Sequence, residues 1–597
     1  MSGDIISLYR AMLAAEQGTI IKDWGGRLRV ALTYPNTYRL GMTNLGFQIV
    51  YGLLNQRSDV VAERFFLPVG EEMSLYLRTG KPLRSLESQK ALHQFDLVAF
   101  SLSFENDYPN LLTILEMGKI PVLQEERVSP WPLVMGGGIT TFMNPEPLSP
   151  FMDFFLLGEA EENLGPLIDV LSVARSDGAD KETVFSTLLK EVDGVYVPSF
   201  YHAQYNEDGT LNRFVPTSPQ APKRIRPPRV SSKDFHERGV SVSAITTPNA
   251  EFGERVLIEL GRGCGRGCRF CAAGYVYRPP RFHEKGHLSA SIQRQITRSP
   301  HLGLLSAAVS DTPGIEEISA TIVANGNDFS VSSLRADTLT PALVNHLKKS
   351  GQRSVAIAPE AGSERLRRVI NKQLTRDQIF SAVQTIAETG QFSLRLYLLI
   401  GLPTETETDI EEMIDLIKGI KHHMVKSATP RGTIGKIILS VNAFVPKPFT
   451  PFQWFPLEDI GSIKSKQKQL KRSLLKAGGI RVNADVPKWA YIQTLLSMGD
   501  RRVGRILHAA HKAGGNWIKA LRFSDVNPDF FVYRPKGVDE RLPWDFIDNG
   551  ISKAYLLKER AAALKGEESA SCDVGRCFRC GVCGPDSQLS GENQHAS

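Results

Sequence analysis

Three of the seven cysteines of the chain lie close together in the segment "GRGCGRGCRFCAAG", residues 261–274. Cys264, Cys268 and Cys271 have the spacing C-x3-C-x2-C. Thiolates at this spacing in one loop can bind a single inorganic cluster, and three of them leave one iron of a cubane without a protein ligand. An open coordination position is typical of a catalytic metal site, whereas structural sites are closed.

The residues between these cysteines suit such a cluster. The glycines at 263, 265 and 267 would let the backbone fold around it and turn N–H groups toward its sulfides. Arg262, Arg266 and Arg269 are expected to offset its negative charge. The alternative is a structural zinc loop, for which His283 is the nearest candidate for a fourth ligand.

The other four cysteines form a second group near the end of the chain. Cys572, Cys577, Cys580 and Cys583 have the spacing C-x4-C-x2-C-x2-C. Its overlapping C-x2-C pairs resemble the ferredoxin run and predict an auxiliary iron–sulfur cluster. Zinc is the alternative, although zinc sites more often use two separated C-x2-C pairs. We expect this second cluster to be separate from the first site and not needed for its chemistry.

Composition limits the class of protein. The chain has 597 residues, of which 42% are hydrophobic and 23% charged, so it is long enough for several soluble domains. The first residues do not form a signal peptide, and no run of about 18 uncharged apolar residues predicts a membrane span. An odd number of cysteines in tight groups indicates metal binding in a reducing cytoplasm. The net charge of +7 permits an anionic partner without requiring one.

The order of the strand-like and helical segments predicts an α/β protein. Residues 1–215 alternate the two types, which indicates a parallel sheet with strands near 27–35, 95–104, 132–138 and 153–162. Residues 216–250 are rich in Pro and Arg and read as a linker. Residues 251–455 give six strand–helix units and predict a (βα)6 partial barrel, with an open sheet as the alternative and ligands at the carboxyl ends of the strands. We expect residues 456–570 to be basic and mainly helical, and residues 571–597 to be a cysteine-cluster tail whose last part is disordered.

The first cysteine group, with Phe270 as the aromatic residue of C-x3-C-x-Φ-C, resembles the signature of the radical S-adenosylmethionine (SAM) enzymes. The resemblance implies a [4Fe–4S] cluster on the three cysteines, with the amino and carboxylate groups of SAM on the fourth iron. One electron then cleaves SAM to a 5′-deoxyadenosyl radical that abstracts a hydrogen atom from the substrate. It also implies a reductase partner such as flavodoxin or ferredoxin. No general acid or base is predicted, because hydrogen abstraction needs only a positioned C–H bond.

Other segments resemble the SAM-binding elements of that family. "SLRAD" (333–337), "APEAGSERLRRVINK" (358–372) and "LYLLIGLPTET" (396–406) correspond to the ends of the third, fourth and fifth barrel strands. The second strand ends in "AAVSD" where the family has Gly-Gly-Glu. The resemblance implies SAM contacts by Ser310, Asp311, Arg335, Glu360, Ser363, Ile400 and Gly401. For Arg335 and Glu360 the alternative is an ordinary salt bridge at the strand ends.

The segment from 134 to 171 resembles the cobalamin-binding domain that precedes many radical SAM enzymes, which has a flavodoxin-like, doubly wound sheet. There Gly136 and Gly137 would let the backbone approach a nucleotide tail, and Thr140 could hydrogen-bond to it. The loop "TYPNTYRLGMTNLG" (33–46) lacks the family's Asp-x-His-x-x-Gly, so no histidine is expected on cobalt. The upper-face candidates are Tyr34, Asn36, Tyr38 and Asn44. The alternative is a domain that only docks the barrel.

These features lead to one function and two alternatives. The resemblance implies a radical SAM enzyme that transfers a methyl group from cobalamin to an unactivated carbon. The first alternative is a methylthiotransferase-like or other RNA-modifying radical enzyme, based on the second cysteine group and the basic stretch 464–522. The second is a non-catalytic iron–sulfur electron-transfer or regulatory protein, which the three-thiolate site disfavours because electron carriers close their clusters with four ligands. The sequence does not identify the substrate, although RNA is among the candidates.

Overall fold

The structure of the protein, a computed structural model, describes residues 5–429 and 432–583. The predicted disorder of residues 584–597 lies outside the described residues. The strands are β1 (Leu28–Tyr34), β2 (Val60–Phe66), β3 (Leu97–Ser101), β4 (Leu133–Gly137), β5 (Phe154–Leu156), β6 (Val195–Tyr196), β7 (Tyr201–Tyr205), β8 (Leu211–Pro216), β9 (Val256–Glu259), β10 (Gly261–Arg262), β11 (Arg281–Phe282), β12 (His301–Leu305), β13 (Asp328–Val331), β14 (Ser354–Glu360), β15 (Ser393–Ile400), β16 (Ile437–Ala443) and β17 (Ile480–Ala484).

The helices surround these strands and fill most of the C-terminal region. They are α1 (Ile5–Ala14), α2 (Tyr38–Gly41), α3 (Leu45–Gln56), α4 (Gly70–Thr79), α5 (Tyr108–Met117), α6 (Ile139–Met143), α7 (Ala160–Ser176), α8 (Lys181–Glu191), α9 (Ser232–Glu237), α10 (Ala273–Val276), α11 (Lys285–Arg298), α12 (Ile315–Ala324), α13 (Pro341–Lys349), α14 (Glu364–Val369), α15 (Arg376–Thr389), α16 (Glu407–Ala428), α17 (Ile460–Leu475), α18 (Pro487–Met498), α19 (Val503–Lys512), α20 (Trp517–Arg522), α21 (Asp529–Val532) and α22 (Lys553–Leu564).

The N-terminal sheet has the strand order β2-β1-β3-β4-β5-β6. Its first five strands are parallel, and β6 is antiparallel to β5. The four strands predicted from apolar runs are present, but β2 and β6 were not predicted. Strand β2 reads "VVAERFF", in which Glu63 and Arg64 interrupt the apolar pattern. The Arg64 side chain is nevertheless buried, because it forms ion pairs with Glu16 and Glu87 at 2.6 Å each.

The six strands predicted for the second half are present as β9, β12, β13, β14, β15 and β16. They form two parallel sheets, β13-β12-β9 and β14-β15-β16-β17, and a parallel bridge between Leu334 and Ile357 links the two. Each of these six strands therefore lies beside the one that follows it in the chain, as in a barrel. In a doubly wound sheet the strand order instead reverses at one point. Strand β17 extends the predicted six by one. The predicted α/β class with a partial barrel is confirmed.

The Pro- and Arg-rich segment 216–250 is packed against the rest of the molecule. The Ile225 N–H donates to the Phe546 carbonyl at 2.8 Å, and the side chains of Ile225, Val230 and Phe235 are buried. The segment therefore connects the two α/β parts as a fixed strap, not as the flexible spacer that its composition suggests. The domain boundaries at 215, 250, 455 and 570 remain our division of the chain.

The C-terminal helices hold the N-terminal sheet and the barrel together. The guanidinium of Arg501, just before α19, lies 2.9 Å from the Glu146 carboxylate, which follows β4. The same guanidinium donates to the Tyr201 carbonyl at 2.9 Å and to the Tyr196 hydroxyl at 3.1 Å. After β16, Lys447 reaches Glu105 at 2.5 Å. Among the described residues, no helix is both long and apolar enough to cross a membrane.

Replacing Arg501 by Met should strongly destabilise this contact. The Glu146 side chain is only 2% exposed, so it would be left as an unpaired buried charge, which costs about 3–5 kcal/mol. The matched control is Arg505→Met in α19, whose ion pair with Asp525 joins side chains that are 57% and 64% exposed. Loss of such an exposed pair costs about 0–1 kcal/mol. The free energy of the first unfolding transition in urea measures both, and equal losses would contradict the anchoring role of Arg501.

Candidate functional site

The cluster loop, residues 263–272, follows strands β9 and β10 at the carboxyl end of the first barrel strand. Gly263 and Gly267 have φ angles of +84° and +73°, which a residue with a side chain rarely adopts. A Cβ atom on Gly263 would also lie 2.5 Å from the Tyr277 carbonyl oxygen. These two glycines are therefore required for the path of the loop.

The three cysteines of this loop lie close enough to influence one another. Burial raises the pKa of Cys271 to about 12, and the neighbouring Cys268 and Cys264 also raise it. Burial also raises the pKa of Cys264, and all three cysteines are partly exposed. Half-buried thiols in one loop suit an iron–sulfur cluster, because the metal supplies the positive charge that thiolates need.

The ligand spacing also agrees with a cluster. Within residues 5–429 and 432–583, no three Cys, His, Asp or Glu side chains converge on one metal-ion position. A cubane does not require such convergence, because it binds each thiolate at a different iron. Cys264, Cys268 and Cys271 thus fit a [4Fe–4S] cluster, and assigning them as its ligands remains our prediction.

The arginines of the loop do not carry free positive charge, contrary to expectation. Arg262 contacts Glu159, Glu161 and Glu259 at 3.2, 2.7 and 2.9 Å. Arg269 is buried and contacts Glu559 at 3.1 Å. Carboxylates neutralise these guanidinium groups because a buried charge without a partner is costly. Their role is to tie the loop to distant parts of the chain.

The third arginine, Arg266, connects the loop to the predicted SAM-binding residues at the ends of the second and third barrel strands. Its Nε and Nη2 atoms donate to the Asp311 carboxylate at 2.7 and 2.6 Å. Its Nη1 atom also lies 3.4 Å from Asp337, which Arg335 contacts at 2.9 Å. Ser310 accepts hydrogen bonds from the Arg335 N–H and from the Thr338 hydroxyl.

Arg335 therefore has the strand-end salt bridge that was considered as the alternative to ligand binding. Its partner is Asp337, not Glu360. The structure brings Ser310, Asp311 and Arg335 together beside the cluster loop. Their contacts with SAM remain a prediction.

Glu360 ends strand β14 in a conformation that indicates a functional constraint. Its φ angle is +65°, and the register of β14 shifts between Ile357 and Glu360. Such backbone strain in a residue other than glycine often marks a ligand site.

Lys372 lies 3.2 Å from the Glu360 carboxylate. Burial alone would lower the pKa of Lys372, but Glu360 and then Cys268 raise it above its usual value, which places this ammonium beside the cysteines. Sequence reasoning did not select Lys372.

The remaining predicted SAM residues are less accessible. The Ser363 hydroxyl is buried, caps α14 by accepting from the Leu366 N–H at 3.0 Å, and donates to Asp409. Ile400 is fully buried in the core. Gly401 has a φ angle of +77°, and its N–H donates to Glu405 at 2.8 Å. Phe270 packs against an apolar cluster that includes Ala563 of α22. Ser363 and Ile400 thus have structural roles that the sequence did not indicate.

A cavity of about 530 Å³ lies between the N-terminal sheet and the barrel. Its walls come from the carboxyl ends of the N-terminal strands, from the first two barrel strands and from the cluster loop. They include Asn44, Ser101, Ser103, Gly137, Gly138, Gly158, Glu159, Glu161, Glu259, Arg262, Gly263, Ala273, Tyr277 and Ser306. The volume is within the usual range of about 300–1,000 Å³ for ligand sites.

The predicted cobalamin contacts are only partly at this cavity. Gly137 lines it, but a Cβ atom on Gly136 would lie 2.8 Å from the Phe155 ring, so Gly136 is needed for packing. The Thr140 hydroxyl is buried and donates to the Leu102 carbonyl at 3.1 Å. Gly138, which sequence reasoning missed, lines the cavity with a φ angle of +108°. The sequence feature that could have identified Gly138 is its position as the third glycine of the run 136–138.

Among the four upper-face candidates, Asn44 lines the cavity, and Tyr34, Asn36 and Tyr38 are not part of its wall. Asn44 caps α3 and donates to the Ser103 hydroxyl at 3.0 Å. Asn36 instead donates to Asp107 at 2.8 Å. None of the described residues that line the cavity is a histidine.

His283 is not arranged as a ligand to the first cysteine group. Its ring is buried and stacks on Phe235 with 4.1 Å between ring centroids. Burial, followed by the nearby His236 and Arg262, lowers the pKa of His283 to about 4. The structure therefore gives no support to the zinc alternative for the cluster loop.

The second cysteine group contacts the cluster loop through Cys572, and its role as a second, separate cluster site stays a prediction. The Cys572 N–H donates to the Gly265 carbonyl at 2.7 Å. A Cβ atom on Gly265 would lie 3.3 Å from the Cys572 carbonyl oxygen. The C-terminal segment is thus in direct contact with the cluster loop.

Two family models match the chain. "Radical SAM proteins, N-terminal" matches residues 46–198, and "Radical SAM superfamily" matches residues 258–417. The first covers most of the N-terminal sheet, and the second covers the cluster loop and the barrel strands up to β15.

Several known proteins are similar to this chain. An uncharacterized protein of Methanocaldococcus jannaschii is 30% identical over 88% of this chain and 98% of its own length. An uncharacterized methyltransferase of Pyrococcus horikoshii is 26% identical over 50% of this chain and 60% of its own length. A tRNA-2-methylthio-N(6)-dimethylallyladenosine synthase of Solibacter usitatus is 22% identical over 48% of this chain and 64% of its own length.

One solved structure similar to this chain is that of OxsB, a cobalamin-dependent SAM radical enzyme, with aqua-cobalamin and SAM bound. It has a TM-score of 0.42 and 13% identity, over 90% of this chain and 79% of that one.

The two family models and the full-length relative confirm the resemblance seen in the cysteine motif. Radical SAM proteins are enzymes that use a [4Fe–4S] cluster and SAM, and these predicted cofactors fit the cluster loop described above. The chain therefore belongs to the radical SAM superfamily.

Proposed function

We propose that this radical SAM enzyme binds cobalamin in the cavity between its N-terminal sheet and its barrel, and that it transfers a methyl group to an unactivated carbon. The observation that carries the proposal is the position of the cavity. One wall is formed by the carboxyl ends of the N-terminal strands, and the opposite wall by the cluster loop and the ends of β9 and β12.

The sheet side of the cavity suits a large nucleotide-containing ligand. In open α/β sheets, ligands bind outside the carboxyl ends of the strands. Here Ser101, Gly137 and Gly158 occupy those ends. Gly138 has no side chain and approaches Leu102 so closely that a Cβ atom would lie 2.5 Å from its carbonyl oxygen. Gly138 is therefore needed for close packing against Leu102 on this side of the cavity.

The barrel side of the cavity adjoins the cluster loop, where the radical would be formed. Glu259 and Arg262, at the ends of β9 and β10, and Gly263 of the cluster loop all belong to the cavity wall. Arg262 forms ion pairs with Glu159 and with Glu161 of α7, so these contacts hold the two walls together. When bound, cobalamin would supply the methyl group that is transferred. The chain's own residues would exclude water from the space between the two walls.

The predicted alternative of RNA modification has weaker support. The relative from Solibacter usitatus favours it, because that protein is named a tRNA-modifying synthase. However, several cations of the basic stretch 464–522 have acidic partners. Lys466 contacts Glu405 and Glu458, Arg501 contacts Glu146, and Arg502 contacts Asp500. The charge available to a phosphate backbone is therefore smaller than the sequence suggests. The relative from Pyrococcus horikoshii, named a methyltransferase, agrees with methyl transfer.

The radical chemistry is tested by removing the three thiolates. Replacing Cys264, Cys268 and Cys271 by Ala in one chain should abolish 5′-deoxyadenosine formation under dithionite, because no cluster would remain to reduce SAM. The product is measured by liquid chromatography of the quenched reaction. A chain in which Cys577 and Cys583 are replaced by Ser is the control and should retain cleavage under dithionite. Undiminished cleavage in the triple variant would show that these cysteines do not hold the reactive cluster.

Cobalamin binding is tested by titration and by spectroscopy. The full-length protein should bind cob(II)alamin, and its electron paramagnetic resonance (EPR) spectrum should lack nitrogen splitting from a protein imidazole, because no histidine is among the described residues that line the cavity. Gly137→Val should weaken binding, since overpacking costs about 1–3 kcal/mol, or roughly 5- to 150-fold in affinity. Gly165→Ala in α7, where a Cβ atom would meet nothing within 4 Å, is the control. Absence of corrinoid binding at high micromolar concentration would leave the N-terminal part as a docking domain only.

A further inference from the structure

The four C-terminal cysteines form a compact group. Cys577, Cys580 and Cys583 lie within seven residues, and the Cys577 N–H donates to the carbonyl of Asp573, the residue after Cys572, at 2.8 Å. Cys580 is buried, and its carbonyl accepts from the Ser552 N–H at the start of α22, at 2.9 Å. The group is therefore part of the folded molecule and not a free tail.

This cysteine group is fixed against the cluster loop by the backbone. Cys572 donates its N–H to the carbonyl of Gly265, the residue directly after Cys264. A side chain at position 265 would crowd Cys572. A Cβ atom on residue 265 would lie 3.3 Å from the carbonyl oxygen of Cys572 and 3.6 Å from the Cβ atom of Cys572. Cys264 of the first group and Cys572 of the second are thus connected through the backbone of Gly265 and one hydrogen bond.

Side chains on both sides of the loop maintain this contact. The Asn371 amide donates to the Gly267 carbonyl at 3.1 Å and accepts from the Ser569 N–H at 2.9 Å. Arg269 donates to the Glu559 carboxylate at 3.1 Å and to the Ser569 hydroxyl at 3.0 Å. Arg269 thus connects the cluster loop directly to Glu559 and Ser569, which precede Cys572 in the chain. Asn371 connects the loop to Ser569 by contacting both. The joint effect of these contacts is to set the distance between the two cysteine groups.

We propose that Cys572, Cys577, Cys580 and Cys583 hold a second iron–sulfur cluster that passes electrons to the cluster bound by Cys264, Cys268 and Cys271. The spacing C-x2-C-x2-C is typical of such clusters, and four thiolates close the site, as in electron carriers. The hydrogen bond from Cys572 to Gly265 connects the two sites directly. The proposal concerns electron entry and does not depend on cobalamin.

The electron count is simple. A one-electron donor protein of the flavodoxin or ferredoxin class reduces the second cluster by one electron. The second cluster returns to its oxidised state when it passes that electron to the first site, where the electron breaks a carbon–sulfur bond of SAM. No proton and no other oxidant or reductant takes part in the transfer.

The side chains around the second group are consistent with a charged, redox-active cluster. The Arg579 guanidinium donates to the Cys577 sulfur at 3.2 Å and to the Ala570 carbonyl at 2.7 Å. Arg278 acts electrostatically on Cys572 and Cys580, and it donates to the Tyr555 hydroxyl at 3.1 Å. Hydrogen bonds and positive charge at the sulfurs are among the factors that set the reduction potential of such a cluster.

The test compares three full-length or nearly full-length chains purified without oxygen. The variant is Cys577→Ser with Cys583→Ser, which leaves the buried Cys580 in place and so spares the packing. The control is a chain that ends at Cys583 and retains all seven cysteines. The third chain is the unmodified protein. Each is analysed for iron, sulfide and zinc, by EPR after reduction, and for the rate at which reduced flavodoxin reduces the first cluster.

The proposal expects about eight irons per chain in the unmodified protein and the control, and about four in the variant, for two four-iron clusters. The reduced unmodified protein should give an EPR spectrum broadened by interaction between two nearby spins, and the variant should give one narrow signal. The variant should lose most of its reduction by flavodoxin but keep its reduction by dithionite. The failure of cobalamin binding would change none of these results.

Three outcomes would overturn the proposal. One zinc per chain with iron unchanged in the variant would identify a zinc site. Two clusters without magnetic interaction would show that the sites are not in contact. Unchanged reduction by flavodoxin in a variant that has lost four irons would show that electrons enter the first cluster by another route.

Discussion

Three arginines alternate with the three cysteines of the cluster loop, and each forms an ion pair with a different part of the chain. Arg262 contacts Glu159 and Glu161 of the N-terminal part. Arg266 contacts Asp311 at the end of the second barrel strand, and Arg269 contacts Glu559 of α22. Removing one partner of a buried pair leaves a charge that costs several kcal/mol, so these contacts favour a single arrangement of the three parts. The position of the cluster loop therefore depends on the whole chain.

The cavity and the C-terminal cysteines contact different residues of the same short loop. The start of the loop, at Gly263, forms part of the cavity wall together with Arg262 of β10. Its next residues, around Gly265 and Gly267, contact Cys572 and Asn371. A loop this rich in glycine can carry two such interfaces because glycine lets other groups approach the backbone closely. Under the two proposals made above, substrate chemistry and electron supply would act on one cluster through different residues of the loop.

The predicted SAM-binding residues illustrate how the fold assigns roles within a matched motif. Glu360 forms an ion pair with Lys372 and has a strained φ angle of +65°. Ser363, only three residues later, caps α14 and donates to Asp409. Both residues follow the register shift in β14, but their side chains have different partners. A ligand contact is therefore better supported for Glu360 than for Ser363.

The sequence by itself determined the superfamily and the class of fold, because these depend on local motif spacing and on alternating apolar runs. Each of the six strands predicted for the barrel is present, since buried parallel strands are continuous apolar runs. Strand β2 escaped this pattern because its buried Arg64 is acceptable only beside Glu16 and Glu87, which are distant in the sequence. Only the tertiary structure decided that the loop arginines are neutralised, that Gly138 instead of Thr140 lines the cavity, and that Cys572 contacts Gly265. These facts rest on contacts between residues that are tens to hundreds of positions apart, and no local pattern encodes such contacts.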